Sequence, residues 1–123
     1  VKSRLTVEND DKATMYSVKD LYEGVYCKIG IPIVFDYHHH RFCTVGLSEE
    51  DALEVAISTW GDIVPVVHYS ESRNIEQEDD KIRPQAHSDY VYDYIDTYGN
   101  EVDIMVEANA KELAVLKYKE LHG

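Results

Sequence analysis

Hydrophobic and polar positions alternate between two regimes along this chain. Short apolar runs each stop at an acid or a histidine, and amphipathic stretches lie between them. The clearest run is IPIVFDYHHH, in which Ile31 to Phe35 is apolar, Asp36 ends it, and three histidines follow after Tyr37. A continuous apolar run of this length suits a strand buried on both faces, as in a parallel sheet covered by helices. Arg4 to Glu8 (RLTVE), Asp62 to Val67 (DIVPVV, followed by His68) and Val102 to Val106 (followed by Glu107) predict three further strands. The Asn9-Asp10-Asp11 sequence breaks the first of them, because short polar side chains bond to nearby backbone.

Helical spacing occupies the intervals. Ser17 with Asp20 three residues on resembles a capping box, with Val18, Leu21, Tyr22, Val25 and Ile29 on one face and Gly30 as the terminator. Ser48 with Asp51 repeats the device before Leu53, Ala56, Ile57 and Trp60, closed by Gly61. Ser70 to Ala86 is polar and predicts a long exposed loop, and loops of that kind in α/β domains are often functional. His87-Ser88-Asp89 then predicts the start of a tyrosine-rich helix to about Tyr98, and a last helix is expected from about Ala110 to Leu121. The order is β-α-β-α-β-α-β-α. Right-handed crossovers between such units give a parallel sheet. The fold class expected is α/β, four consecutive β/α units, half of a (β/α)8 barrel; a start without methionine, straight into a strand, agrees with a half.

Composition narrows the function. With 123 residues, 44% hydrophobic and 29% charged, the chain is one globular domain or part of one. No apolar run approaches the roughly 20 residues of a bilayer span, and no signal peptide is evident. Cys27 and Cys43 lack metal-type spacing; Cys27 is expected as a packed thiol, and a reducing cytoplasm without a disulfide is expected. The net charge of −12 argues against unaided nucleic-acid binding, which needs a basic face. Either the acidity is a solvated surface, or part of it is a ligand cluster neutralised by bound ions.

Glu8, Asp36, His68 and Glu107 each follow a predicted strand. In a parallel arrangement these strand ends lie on one face and converge, where α/β sheets and barrels carry their sites. Each residue alone could be an ordinary polar strand terminus, and adjacent histidines could be a surface turn. Together they suit Zn²⁺, Mn²⁺ or Fe²⁺ better than Mg²⁺, which prefers oxygen and water. His39 and His87 would add ligands from the loops. No Gly-rich phosphate loop, CxxC pair or GxSxG elbow competes. Tyr90, Tyr92 and Tyr94 could stack bases, although such tyrosines more often pack half-buried.

Five ordered blocks carry a resemblance: VENDDK from Val7, IPIVFDYHHHR from Ile31, VHYSES from Val67, HSDYV from His87 and DIMVEANAKE from Asp103. They resemble the carboxyl-terminal half of the UV-damage endonuclease family, over nearly the whole chain. The resemblance implies a (β/α)8 barrel related to the xylose isomerase and apurinic endonuclease barrels, and residues 1–123 as its carboxyl-terminal half. It implies ATP-independent incision of double-stranded DNA 5′ to cyclobutane pyrimidine dimers and 6-4 photoproducts. It also implies a cluster of divalent ions, Mn²⁺ foremost, with Zn²⁺ or Mg²⁺ as alternatives.

Position by position, the resemblance makes Glu8 a carboxylate bridging two metals and Asp36 a second bridge, towards a third metal also held by His39 and His87. His68 and Glu107 resemble ligands of the metal that shares Glu8. Glu8, Asp36, His68 and Glu107 are thereby the expected catalytic set. Lys12 and Lys111 lie close by in sequence and are phosphate contacts or solvated lysines. Val66 stands where the family pattern has a lysine, and Asn109 departs from a lysine likewise. The amino-terminal half, with further histidine ligands and lesion-probing residues, is not matched by any block, so this polypeptide is expected to be inactive alone. Open sheet edges and an uncovered core predict pairing with a second copy or swapping of terminal elements. An apurinic endonuclease or sugar isomerase of the same barrel group, or a non-catalytic metal-binding module, are the alternatives.

Overall fold

A computed structural model describes residues 5–11 and 16–123. Four strands, β1 (Val7–Glu8), β2 (Ile33–Asp36), β3 (Val66–Tyr69) and β4 (Asp103–Val106), form one parallel sheet in the order β1-β2-β3-β4. The α/β class and sequential strand order agree with the sequence. Arg4 and Lys12 lie outside the described residues.

All of β2 is buried, as its unbroken apolar run requires. Ile33 and Phe35 are fully enclosed and pack with Val67, Leu53 and Ala56 in the core. The helix α4 (Glu49–Ser58) supplies that cover and is also tied to the strand. Thr59 Oγ1 accepts from the Ile33 N–H at 2.9 Å, and the Trp60 indole donates to the Ile33 carbonyl at 2.7 Å. Ser48 caps α4 by accepting from the Asp51 N–H.

Between β1 and β2 the chain makes α1 (Val18–Leu21), a π-helical turn (Tyr22–Tyr26) and α2 (Cys27–Ile29) in continuous succession. The expected capping box is present in both directions, with Asp20 in the role usually taken by Glu or Gln. Gly30 terminates the run at φ 70°, a left-handed conformation that costs glycine no Cβ clash. Cys27 is exposed, not packed; Cys43 is the buried thiol.

Other expectations need correction. The histidines after Asp36 form neither turn nor loop but a short helix, α3 (Tyr37–Phe42), capped by Asp36 itself. The third strand starts at Val66, not Asp62, so His68 lies inside it. Pro65 precedes it and has no N–H to give to the ladder, although its carbonyl accepts from Asp103. The stretch from Ser70 is not uniformly exposed: Ser70, Glu71 and Ser72 are buried, and exposure begins at Ile75 within the short helix α5 (Arg73–Glu76).

The predicted helix from His87 to Tyr98 is absent. That segment is extended and irregular because its amides are committed to distant carboxylates. Asp89 and Tyr90 donate to Glu76, and Tyr92 and Asp93 donate to Glu71, each at 2.8–3.0 Å. Local helix bonds cannot compete with charge-assisted ones. The last helix, α6 (Glu112–His122), packs on this segment: Tyr118 Oη accepts from the Ile95 N–H, and the Lys117 ammonium lies over the Tyr90 and Tyr92 rings. Among the described residues, no helix is long and apolar enough to cross a membrane.

Candidate metal centre

The parallel register brings the strand ends together. Asp36 pairs with His68 and His68 with Met105, while Glu8 pairs with Val34. Side chains on one face of adjacent parallel strands therefore meet at their carboxyl ends. Glu8, Asp36, His68 and Glu107 each place one ligand atom there, all within 4.8 Å of one another.

His68 Nδ1 lies 2.8 Å from Glu8 Oε2, 3.4 Å from Glu107 Oε1 and 4.0 Å from Asp36 Oδ2. The bond to Glu8 and the charges of Glu8 and Glu107 outweigh burial and raise the imidazole's pKa. Burial alone would raise Glu8, but hydrogen bonds with His68 and Asp36 hold its carboxyl below the ordinary range. Asp36 goes the other way. It is fully buried, and burial together with the facing Glu8 carboxylate pushes its pKa strongly up.

Among the buried polar atoms without a hydrogen-bond partner in the described residues, two belong to this cluster, Asp36 Oδ2 and Glu107 Oε1. Buried acceptors are nearly always satisfied, and a cation amid these oxygens and the imidazole would satisfy both. Three carboxylates and an imidazole within coordination reach fit a borderline divalent ion such as Mn²⁺ or Zn²⁺. The donor set fits the implied group.

The other two expected ligands stand apart. His39, carried on α3, has Nδ1 3.7 Å from Asp36 Oδ2 and 3.8 Å from Glu8 Oε2, but that nitrogen is bonded to the Asn9 carbonyl at 2.8 Å. His87 sits further out, its ring 5.6 Å from that of buried His38, and it lines a groove with Glu107, Asn109 and Lys111. Its backbone is held by a bridge to Ser72 and by the Asn109 amide. Thus four of the six expected residues converge, His39 flanks them, and His87 lies in the adjoining groove.

Sequence reasoning passed over Asn9, which is buried between Glu8 and Asp36; it read only as part of a strand-breaking triplet. It also passed over His38, whose Nε2 is paired with Ser72 Oγ at 3.0 Å and whose pKa burial depresses to about 4.

A protein-family model described as UV-endonuclease UvdE matches residues 1–122. The chain belongs to the UV-endonuclease UvdE family. Among its relatives in that family, the UV DNA damage endonuclease of Bacillus cereus (strain Q1) is 33% identical over 128 residues, covering 96% of this chain. That of Bacillus pumilus (strain SAFR-032) is 37% identical over 131 residues, covering 98%. The crystal structure of SacUVDE superposes with a TM-score of 0.73 at 32% identity, over 97% of this chain. The chain spans 38% of the length of each of those two relatives and 41% of the SacUVDE chain.

Proposed function

We propose that this chain is the metal-binding, carboxyl-terminal half of a (β/α)8 barrel, acting in a DNA repair nuclease that incises double-stranded DNA 5′ to cyclobutane dimers and 6-4 photoproducts. The observation that carries the reading is the convergence of Glu8, Asp36, His68 and Glu107 with two orphaned buried oxygens among them. Four parallel strands in sequential order, with ligands at one end, support the half-barrel. The kinship with named UV DNA damage endonucleases supports this chemistry over an apurinic endonuclease or sugar isomerase.

On this reading Glu8, Asp36, His68 and Glu107 would hold the metal, with His39 and His87 as further ligands beside them. When bound, Mn²⁺ supplies an activated water and charge neutralisation at phosphorus and at the leaving 3′-oxygen. The chain's own residues prepare this. Asp36 and His68 surrender protons on binding, so affinity rises with pH. The burial of Asp36 keeps water from competing for its free oxygen. Lys111, at φ 55° in the groove beside Glu107, is the cation placed to meet a phosphate in a molecule of net charge −12.

The chain alone is inactive on this proposal, and its uncovered surface drives self-association as a homodimer or swapped oligomer. The edge strand β4 leaves Ile104 and Met105 exposed, and α6 leaves Leu113, Leu116 and Leu121 exposed. Sedimentation at increasing concentration should show dimers or larger species, and a monomer throughout would count against this part.

The central test is Mn²⁺ content by elemental analysis after chelation and reloading, for the parent, Asp36→Ala and Glu107→Ala. Near-stoichiometric metal in the parent and its loss in both variants is the expected result. A parent that retains none would overturn the metal reading of this chain. Nicking of irradiated against abasic plasmid by a full-length enzyme carrying this segment tests the lesion class.

A further inference from the structure

Asn9 is only 1% exposed, yet it is polar and sits where β1 ends and the helical excursion begins. Its carboxamide makes a two-way pair with one residue of the neighbouring strand. Nδ2 donates to the Asp36 carbonyl at 3.0 Å, and Oδ1 accepts from the Asp36 N–H at 2.8 Å. A side-chain amide has the same donor and acceptor as a peptide group. The β1–β2 pairing, whose last register is Glu8 with Val34, is therefore continued by a side chain beyond the end of the strand. The backbone of Asn9 is used as well: its carbonyl lies 2.8 Å from His39 Nδ1.

We propose that Asn9 is a positioning residue of the centre, fixing the separation of the Glu8 and Asp36 carboxylates through its side chain and presenting His39 Nε2 as a ligand atom through its carbonyl. A carbonyl can only accept, so His39 Nδ1 must carry the proton and Nε2 the lone pair. Metal-binding histidines generally donate their other ring N–H to a carbonyl or carboxylate, which fixes both tautomer and orientation. Free neutral imidazole is under no such constraint. One buried residue thus touches three expected ligands: it neighbours Glu8 in sequence, clamps the peptide groups of Asp36, and holds the ring of His39. A residue that merely joined two strands would need only the first pair of bonds.

The inference rests on the metal reading above, and the test separates the two. In metal-free protein above the histidine titration range, imidazole ¹⁵N spectra should show His39 protonated on Nδ1. This readout involves no metal and no variant. Asn9→Leu, which is close in volume but cannot bond, and Asn9→Ser, which is smaller and easier to accommodate, lose the side-chain pair with Asp36 but keep the backbone carbonyl, so the His39 Nδ1–H form should persist in both. Mn²⁺ affinity should fall about 10- to 100-fold, the usual cost of losing a ligand's supporting partner. Asn9→Asp, which keeps the acceptor for the Asp36 N–H, should fall between the parent and Asn9→Leu. An Nε2–H tautomer in the parent would overturn the proposal, as would folded variants that bind Mn²⁺ within twofold of the parent. A parent with the Nδ1–H tautomer that binds no Mn²⁺ would instead defeat the metal reading, and the role of Asn9 towards an ion with it.

Discussion

Asp36 uses its two oxygens for opposite purposes. Oδ1 accepts the His39 N–H at 2.8 Å and so starts α3, whereas Oδ2 is buried and has no donor. Stability and ligation therefore compete at this one carboxylate. Asp36→Asn should keep the cap and offer Glu8 an N–H. It should stabilise the metal-free chain by roughly 1–2 kcal/mol, because the buried carboxyl must take up a proton that the unfolded chain gives up, while abolishing Mn²⁺ retention. The sign depends on pH. A group whose folded pKa is raised gives its full stability below the unfolded value near 3.9 and loses it as pH rises. The advantage of asparagine should thus appear above about pH 4 and vanish below it, which urea titrations at several pH values would show. Asp36 was legible in the sequence because it interrupts an apolar run. Asn9 was not: its capacity to bond backbone was evident, but its target lies 27 residues away and no local pattern reports that.

At the level of elements, the strands and the helices α1 and α4 were legible because burial and capping leave marks, as in the fully buried Ile33–Asp36, the Ser17–Asp20 box and the Ser48 cap. The segment after His87 was not, because its conformation is dictated by Glu71 and Glu76 rather than by its own residues. Glu71 is the more buried of the two holds. It accepts from the Tyr92 and Asp93 amides and from Tyr69 Oη, and its carbonyl accepts from Ser88. Glu71→Gln replaces one acceptor oxygen with an N–H that confronts other donors. It should cost roughly 2–3 kcal/mol, the scale of a buried donor left unmet plus a lost charge-assisted bond. Hydrogen exchange at Tyr92 and Asp93 should accelerate well beyond that of β2 amides. If both sets of amides accelerate equally, the carboxylate stabilises the whole fold and not this segment. His87 stands next to Ser88, so the same substitution should loosen the groove side of the centre.

For the whole molecule, ten tyrosines offer a titration of the fold. Burial and nearby carboxylates push Tyr37 and Tyr69 well above the usual range. Burial and a hydrogen bond to Glu76 bring Tyr92 to about 12, and the bond to Glu49 followed by burial does the same for Tyr98. A raised pKa gives stability that is complete below the unfolded value near 10 and is lost as pH climbs to the folded one. Absorbance at 295 nm should therefore show these four phenols ionising late, together with unfolding. Mn²⁺ should in turn raise Tm, since an ion that binds only the folded sheet stabilises it by mass action. β1, β2 and β3 each carry one member of the centre and Glu107 directly follows β4, and side chains alternate between faces along a strand. A slip of one residue in any pairing would turn its ligand to the opposite side. Circular dichroism would scarcely distinguish such a misaligned chain from the native one. An ion that needs Glu8, Asp36, His68 and Glu107 at once would reject it, so metal occupancy becomes a proofreading signal that counts the molecules whose strands have found their correct alignment.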